Sequence, residues 1–194
     1  MSANPLILAS SSPYRQALIH KLKIDFIAES PSVNEERLAQ EKPEQLAVRL
    51  GIAKAHALQN RYPEHLIIGS DQVAVLQDRL LSKPGDRDTA IRQLQLASGH
   101  CVEFFTSVCV LNSNTGQYLT DLDITYVYFK PLTLSQIERY IDLDTPFDCA
   151  GSFKAESLGV ALFEKVLSED SNALIGLPLI KLCGLLEKFQ RAIL

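Results

Sequence analysis

The chain has 194 residues, 46% of them hydrophobic and 22% charged, with a formal net charge of −4. This is enough chain for one large globular domain with its own core, and the balance of residue types is that of an ordinary globular protein. The acidic excess argues against a nucleic-acid-binding surface as the main function, since such a surface leaves a basic footprint, although a local basic pocket is still allowed.

The apolar run Leu6–Ala9 reads as a short buried strand. It stops in Ser10, Ser11 and Ser12, and Pro13 opens a helix over Pro13–Lys23 with Ser12 as its N-cap. Ile24–Ala28 reads as a second strand. Glu29–Lys42 is polar and irregular and carries Glu35, Glu36 and Glu41. Pro43–Asn60 is a strong helix, with Leu46, Leu50, Ala53 and Ala57 at helical spacing. His65–Gly69 and Gln72–Leu76 carry β signals, Gln77–Arg79 a turn, and Leu80–Lys83 a further extended piece. Asp86–Ser98 reads as a helix closed by Gly99. Cys101–Leu111 and Gln117–Phe129 are long β runs joined by Asn112–Gly116, a hairpin pattern. A capped helix over Thr133–Leu143, a strand over Gly159–Val166 and a helix over Leu177–Arg191 complete the chain. Alternating β and α elements followed by a hairpin predict an α/β fold with a mixed sheet. No linker divides the chain and no repeat is present, so one domain over 1–194 is expected, folded as two lobes around a cleft.

Pro5–Ala9 is far too short for a signal-peptide core and no cation precedes it. The longest apolar stretch, Ala173–Leu186, contains Pro178 and Lys181 and is too short to span a bilayer. Cys101, Cys109, Cys149 and Cys183 are scattered, with no CxxC, and the four histidines make no zinc-type spacing with them. A cytoplasmic protein with reduced cysteines and no membrane association is the expectation.

The residues with chemical potential lie at the ends of these elements. Ser10, Ser11, Ser12 and Arg15 surround a helix N-terminus, where free N–H groups and the positive end of the helix dipole favour an anion. Arginine in a first turn is disfavoured by that dipole, which suggests a nearby negative charge. The segment fits either a phosphate cradle or an ordinary βα turn with a surface arginine. Asp71 ends an apolar strand just after Gly69 and Ser70, where α/β sheets place ligands. It fits a metal ligand, a general base or a turn-capping aspartate, and its strand-end position favours the functional roles. Lys54 borders the apolar face of its helix, Lys83 precedes Pro84, and Glu35 sits in the polar stretch. Taken singly, these three read as solvated side chains. Together the set offers cations for phosphate oxygens and carboxylates for a divalent metal or a water, which is what phosphoryl chemistry needs. The chain has no GxxxxGK[ST], GxGxxG or GxSxG, so neither a Walker-type NTPase, nor a dinucleotide fingerprint, nor a hydrolase elbow is present.

Leu8-Ala-Ser-Ser-Ser-Pro-Tyr-Arg15, Gly69-Ser-Asp-Gln72, Ser82-Lys-Pro84, Ser98-Gly99, Cys149-Ala-Gly-Ser-Phe-Lys-Ala-Glu156 and Ile175-Gly-Leu-Pro-Leu179 follow one another in that order. In this the chain resembles the Maf family of nucleotide pyrophosphatases over nearly its whole length. The resemblance implies an elongated mixed sheet flanked by helices, with two lobes around a central cleft, related to the house-cleaning inosine-triphosphate pyrophosphatases. It implies hydrolysis of a nucleoside triphosphate to the monophosphate and pyrophosphate with a divalent metal, Mg²⁺ or Mn²⁺. By motif, Asp71 corresponds to the general base and, with Glu35, to the metal-holding acids. Ser10, Ser12, Arg15, Lys54 and Lys83 correspond to the phosphate-binding set. Tyr14, Gln72 and Ala155-Glu156 depart from the usual arginine, threonine and isoleucine-glutamine, in a pattern similar to the branch acting on 7-methyl-GTP. The chemistry agrees: an aromatic such as Tyr14 stacks on the cationic methylated base, Glu156 can accept from the guanine N1–H and amino group, and Gln72 can read another polar edge.

Three further departures stand out. Gln16 replaces a second arginine, Asn34 replaces an aspartate before Glu35, and Ser107 replaces a glycine after Thr106, a change expected to bear on packing more than chemistry. The partner implied is a nucleotide, with no nucleic acid, and a homodimer is left open by the resemblance. Two alternatives remain at this point. One is a pyrophosphatase for another non-canonical or pyrimidine triphosphate. The other is a nucleotide-binding regulator of cell division without significant catalysis.

Overall fold

The computed structural model describes residues 5–194; the first four residues of the expected 1–194 domain lie outside the described residues. In chain order the elements are β1 (Leu6–Ala9), α1 (Pro13–His20), β2 (Phe26–Glu29), α2 (Pro43–Ala57), β3 (Leu66–Gly69), β4 (Gln72–Leu76) and β5 (Arg79–Leu81). Then come α3 (Arg87–Ala97), β6 (Cys101–Asn112), β7 (Tyr118–Phe129), α4 (Leu134–Asp144), β8 (Phe163–Leu167) and α5 (Leu179–Lys188). The strands hydrogen-bond in the order β2-β1-β3-β6-β4-β5, and β7 pairs with both β6 and β8. β1 is parallel to β2 and β3, while β3–β6, β4–β5 and β7–β8 are antiparallel. The α/β class with a mixed sheet is the one expected from the sequence. Among the described residues no helix is long and apolar enough to cross a membrane.

The chain gathers into two compact units. The first holds the chain up to Asp71 with Thr106–Asp123 and Asp170–Leu194; the second holds Gln72–Phe105 and Ile124–Glu169. In the first unit the period-2 alternation of strand side chains explains why the strands read as unbroken apolar runs. Leu6, Leu8, Leu66, Ile68, Val108 and Val110 form one buried cluster with Leu18 and Ile19 of α1 and Leu179, Leu182, Leu185 and Leu186 of α5. Their strand neighbours Ile7, Ala9, Ile67, Cys109 and Leu111 face the other way and pack with Ala55 and Leu58 at the end of α2. Both faces are covered, so every strand position must be apolar. The second unit is centred on aromatic rings. Phe153 lies edge-on to Phe104, Phe129 and Phe163 at centroid distances of 5.4, 5.6 and 4.8 Å, a geometry that aligns ring edges with ring faces.

Several boundaries differ from the sequence expectation, each for a local reason. The strand expected at Ile24 starts at Phe26, because Lys23 turns the chain in a left-handed conformation (φ 56°) and parallel pairing starts at Leu6–Phe26. The strand expected from Gly159 starts at Phe163. Residues Leu158–Leu162 form a 3₁₀ turn, and the Gly159 N–H donates to the Lys154 carbonyl. The last helix begins at Leu179 rather than Leu177, since Pro178 is its N-cap.

Candidate active site

The first unit assembles most of the expected residues. Ser12 caps α1, its Oγ accepting from the Arg15 N–H at 3.4 Å, with Pro13 at the first helical position. Ser10 is buried, and its Oγ accepts from the Ser12 N–H at 3.1 Å. The turn is thus held by its own hydroxyls. No acidic residue occupies the first turn of α1, which leaves the positive end of the dipole without an offsetting side chain. Arg15 is half-buried, and its Nε–H donates to the Gly176 carbonyl at 2.8 Å. Its two terminal nitrogens take no hydrogen-bond partner among the described residues. Burial pushes the Arg15 guanidinium below its ordinary value, while the carboxylates of Asp71 and then Glu35 oppose that. Tyr14 is half-buried on the same turn.

Asp71 and Lys54 meet because two backbones come close. A Cβ on Gly69 would sit 2.1 Å from the Gly51 carbonyl and 2.8 Å from the Ala55 nitrogen. Only glycine allows the end of β3 to lie against α2 at that distance. On α2, Ala47, Gly51, Lys54 and Ala55 are buried and share one face. From that face the Lys54 Nζ reaches Asp71 Oδ1 at 2.6 Å and Glu35 Oε1 at 2.8 Å. Burial raises the Asp71 carboxyl above its ordinary value, and the charge and hydrogen bond of Lys54, then Arg15, work against that rise. Asp71 Oδ2 takes no hydrogen bond from the protein among the described residues. The lysine expected to run out to solvent is therefore the buried partner of the aspartate.

The irregular stretch before α2 is fixed rather than loose. Arg49 of α2 grips Glu41 through Nε at 2.6 Å and a second nitrogen at 2.9 Å, and also donates to the Glu36 carbonyl at 2.9 Å. Glu41 also accepts from the Leu38 N–H at 3.0 Å. This holds the backbone beside Glu35, whose own side chain is largely exposed. The Arg49 guanidinium keeps the Glu41 carboxyl at about 2, well below the usual range.

Gln72, Lys83 and Glu156 belong to the second unit. Gln72 opens β4 directly after Asp71 and is half-buried. Lys83 is exposed just past β5, and Glu156 is exposed in a turn over residues 155–157, with no partner for its carboxylate among the described residues.

The profile of the Maf-like protein family matches residues 5–189. The chain belongs to the Maf family. Relatives of this Maf protein include one from Alcanivorax borkumensis, 53% identical over 90% of this chain and 89% of its own. Another, from Pseudoalteromonas translucida, is 49% identical over 95% of this chain and 92% of its own. A third, from Aliivibrio fischeri, is 49% identical over 94% and 95%. All three are named 7-methyl-GTP pyrophosphatase.

Three residues of this Maf chain were not assigned a site role from the sequence. The Gly176 carbonyl accepts from both Arg15 Nε–H and the Ser70 hydroxyl, the latter at 3.0 Å, and so ties α1 to the β3–β4 turn. Ser70 is fully buried. Ser107, expected to matter for packing, instead hydrogen-bonds the Asp71 backbone at both its N–H and its carbonyl. Gly176 lies inside a motif quoted for the resemblance, and Ser70 beside Asp71, so adjacency was the available signal. For Ser107 the signal was its departure from the glycine expected after Thr106, but nothing in a strand hydroxyl points to Asp71 as its partner.

Among the described residues no group of three or more His, Cys, Asp or Glu side chains gathers as a metal site. The protein donors for a divalent cation would be the carboxylates of Glu35 and Asp71, which already converge on one ammonium group. Hard oxygen donors of this kind, few in number and completed by phosphate oxygens and water, fit Mg²⁺ or Mn²⁺.

Proposed function

We propose that this protein is a metal-dependent nucleoside triphosphate pyrophosphatase that hydrolyses 7-methyl-GTP to 7-methyl-GMP and pyrophosphate and so clears a modified nucleotide. The observation that carries the chemistry is the buried Asp71 carboxylate, held by Lys54 on one oxygen and open on the other. The identity of 49–53% to relatives bearing that enzyme name supports the substrate.

The α1 N-terminus, the Ser10 and Ser12 hydroxyls and the terminal nitrogens of Arg15 bind phosphate oxygens, and Lys83 adds a further cation. Lys54 favours the ionised form of Asp71 against the cost of burial. Asp71 Oδ2 orients a water and takes its proton as the water oxygen bonds to the α-phosphorus. The bond from that phosphorus to the bridging oxygen breaks, and pyrophosphate leaves with the electron pair. Glu35 and Asp71 would hold a divalent cation, which would supply neutralisation of the triphosphate charge. Tyr14 stacks on the methylated base, and the uncommitted Glu156 carboxylate accepts from its N1–H and amino group, with Gln72 at another polar edge. The four cysteines are free, which suits action in the reducing cytoplasm.

The test is a panel of canonical and modified triphosphates with Mg²⁺ and Mn²⁺, read by product identity. The expected result is pyrophosphate from 7-methyl-GTP in preference to GTP, with the preference reduced roughly 2- to 30-fold by Tyr14→Ala, as an aromatic–cation contact of ~0.5–2 kcal/mol implies. Orthophosphate as first product sinks the reaction assigned. A preference for a pyrimidine triphosphate sinks the substrate. Tight nucleotide retention without metal-stimulated turnover points to a binding protein.

A further inference from the structure

A base must be held in place as well as ionised, and the Asp71 side chain does not fix its own backbone. Ser107 lies on β6 across from it and has one hydrogen to donate. The shortest contact of its Oγ is to the Ala47 carbonyl of α2, at 2.6 Å, so the hydroxyl hydrogen goes there. The lone pairs are left to accept the Asp71 N–H at 3.2 Å. The Ser107 N–H in turn donates to the Asp71 carbonyl at 2.9 Å. Ser107 is 1% exposed, so its hydroxyl is shielded from bulk solvent. Its hydroxyl therefore joins the Asp71 backbone directly to the helix that carries Lys54. Gly51 makes the space, since a Cβ there would lie 2.6 Å from Ser107 Oγ. Ala47, Gly51 and Lys54 recur on one face of α2, so the hydroxyl and the ammonium group both reach Asp71 from the same side of one helix.

We propose that Ser107 is a positioning residue for catalysis, whose hydroxyl locks the Asp71 backbone to α2 so that the carboxylate is presented in register with Lys54. This rests on the reading of Asp71 as the base. Ser107 touches neither substrate nor reacting atoms; it acts through Asp71. A small displacement of a base lowers turnover without loosening groups that bind phosphate elsewhere, and the α1 turn is built from its own hydroxyls, independent of Ser107.

The experiment compares the full-length chain with Ser107→Ala and with Val108→Ala, a buried neighbour in the core cluster without a polar group. Ser107→Ala is expected to lower kcat roughly tenfold to a hundredfold with nucleotide KM unchanged. Amide exchange at Asp71 should speed up selectively, while the amides of β1 and β3 stay protected. Val108→Ala should lower the melting temperature with kcat and Asp71 exchange as in the unaltered chain. Equal loss in kcat and KM, or an unchanged kcat despite a freed Asp71 amide, overturns the proposal. Fast exchange of the Asp71 amide in the unaltered chain overturns it without any variant. If the unaltered chain releases no pyrophosphate from any triphosphate, the functional reading fails, and the exchange result still decides whether Ser107 holds Asp71.

Discussion

Lys54 Nζ and Asp71 Oδ1 lie 2.6 Å apart, and each residue is 8% exposed. Removing two charges from water costs several kcal/mol per ion, and their attraction repays this only with good geometry and further bonds. Here the repayment is incomplete, since burial outweighs Lys54 and leaves the Asp71 carboxyl above its ordinary value. The pair is better understood as function maintained at some expense of stability.

The consequence for Asp71→Asn follows from the sign of that shift. A carboxyl whose folded value is raised favours the fold below its unfolded value, about 4. That advantage is lost as pH rises through the folded value. At neutral pH the charge therefore opposes folding, and a neutral isostere relieves it, while Lys54 keeps Glu35 as partner. Asp71→Asn should abolish pyrophosphate release and melt at or above the temperature of the unaltered chain near pH 7. A melting point several degrees lower would show that the ion pair is a net stabiliser, contrary to this account.

Glu41 has the opposite sign. Arg49 holds its carboxyl at about 2, below the ordinary 4.5. Its contribution is present above 4.5 and is lost as pH falls toward 2. The melting difference between the unaltered chain and Glu41→Gln should stay level from neutral pH to about 5 and shrink below that. The same substitution should raise the metal concentration needed for half-maximal activity, because Arg49 also holds the Glu36 carbonyl beside Glu35. A melting difference that grows on acidification would contradict the assignment of Arg49 as its partner.

The fold was legible where one physical signal dominated. The runs at Leu6–Ala9 and Leu66–Gly69 are strands covered on both faces, and the Ser12 cap with Pro13 marked the start of α1. Boundaries failed where a backbone turn decided them, as at Lys23 and Gly159. Of the site, single residues were legible by type and position, but their pairing was not. Lys54 looked like a lysine running to solvent, because nothing in its helix shows that Gly69 lets β3 come within backbone contact of α2. The Glu41–Arg49 grip was equally hidden, since a glutamate in a polar stretch looks solvated until its arginine, eight residues on, folds back to it.

Gln93 offers a test in the second unit. Its amide accepts from the Ser152 hydroxyl at 2.6 Å and donates to the Ser82 carbonyl at 3.0 Å, next to Lys83. Ser152 is fully buried with φ 63°, a conformation that L-residues keep only when surroundings hold it. Gln93→Leu leaves a buried hydroxyl and a carbonyl without these partners, at a cost of ~1–3 kcal/mol. For a chain of this size that lowers the melting temperature by roughly 2–12 °C. Nucleotide KM should rise with kcat largely kept, since the loosened backbone carries Lys83, proposed as a phosphate-binding cation, and not Asp71, proposed as the base. A fall in kcat at constant KM would place Gln93 with the chemistry instead.

Gly51 and Ser107 give a test of opposite signs in two backgrounds. A methyl group at position 51 meets Ser107 Oγ at 2.6 Å, an overlap that a short, doubly bonded side chain cannot avoid without giving up a hydrogen bond. Gly51→Ala alone should therefore destabilise by ~1–3 kcal/mol. With Ser107→Ala already present, the nearest remaining contacts are the position-107 Cβ at 3.5 Å and the Asp71 nitrogen at 3.8 Å, both ordinary. Alanine is then free to express its helix preference over glycine, ~1 kcal/mol, so the same change becomes stabilising. Four melting curves, for the unaltered chain, each single variant and the pair, measure the coupling directly. Additive shifts would mean that α2 and β6 are not in contact through this hydroxyl, and the positioning of Asp71 would need another cause.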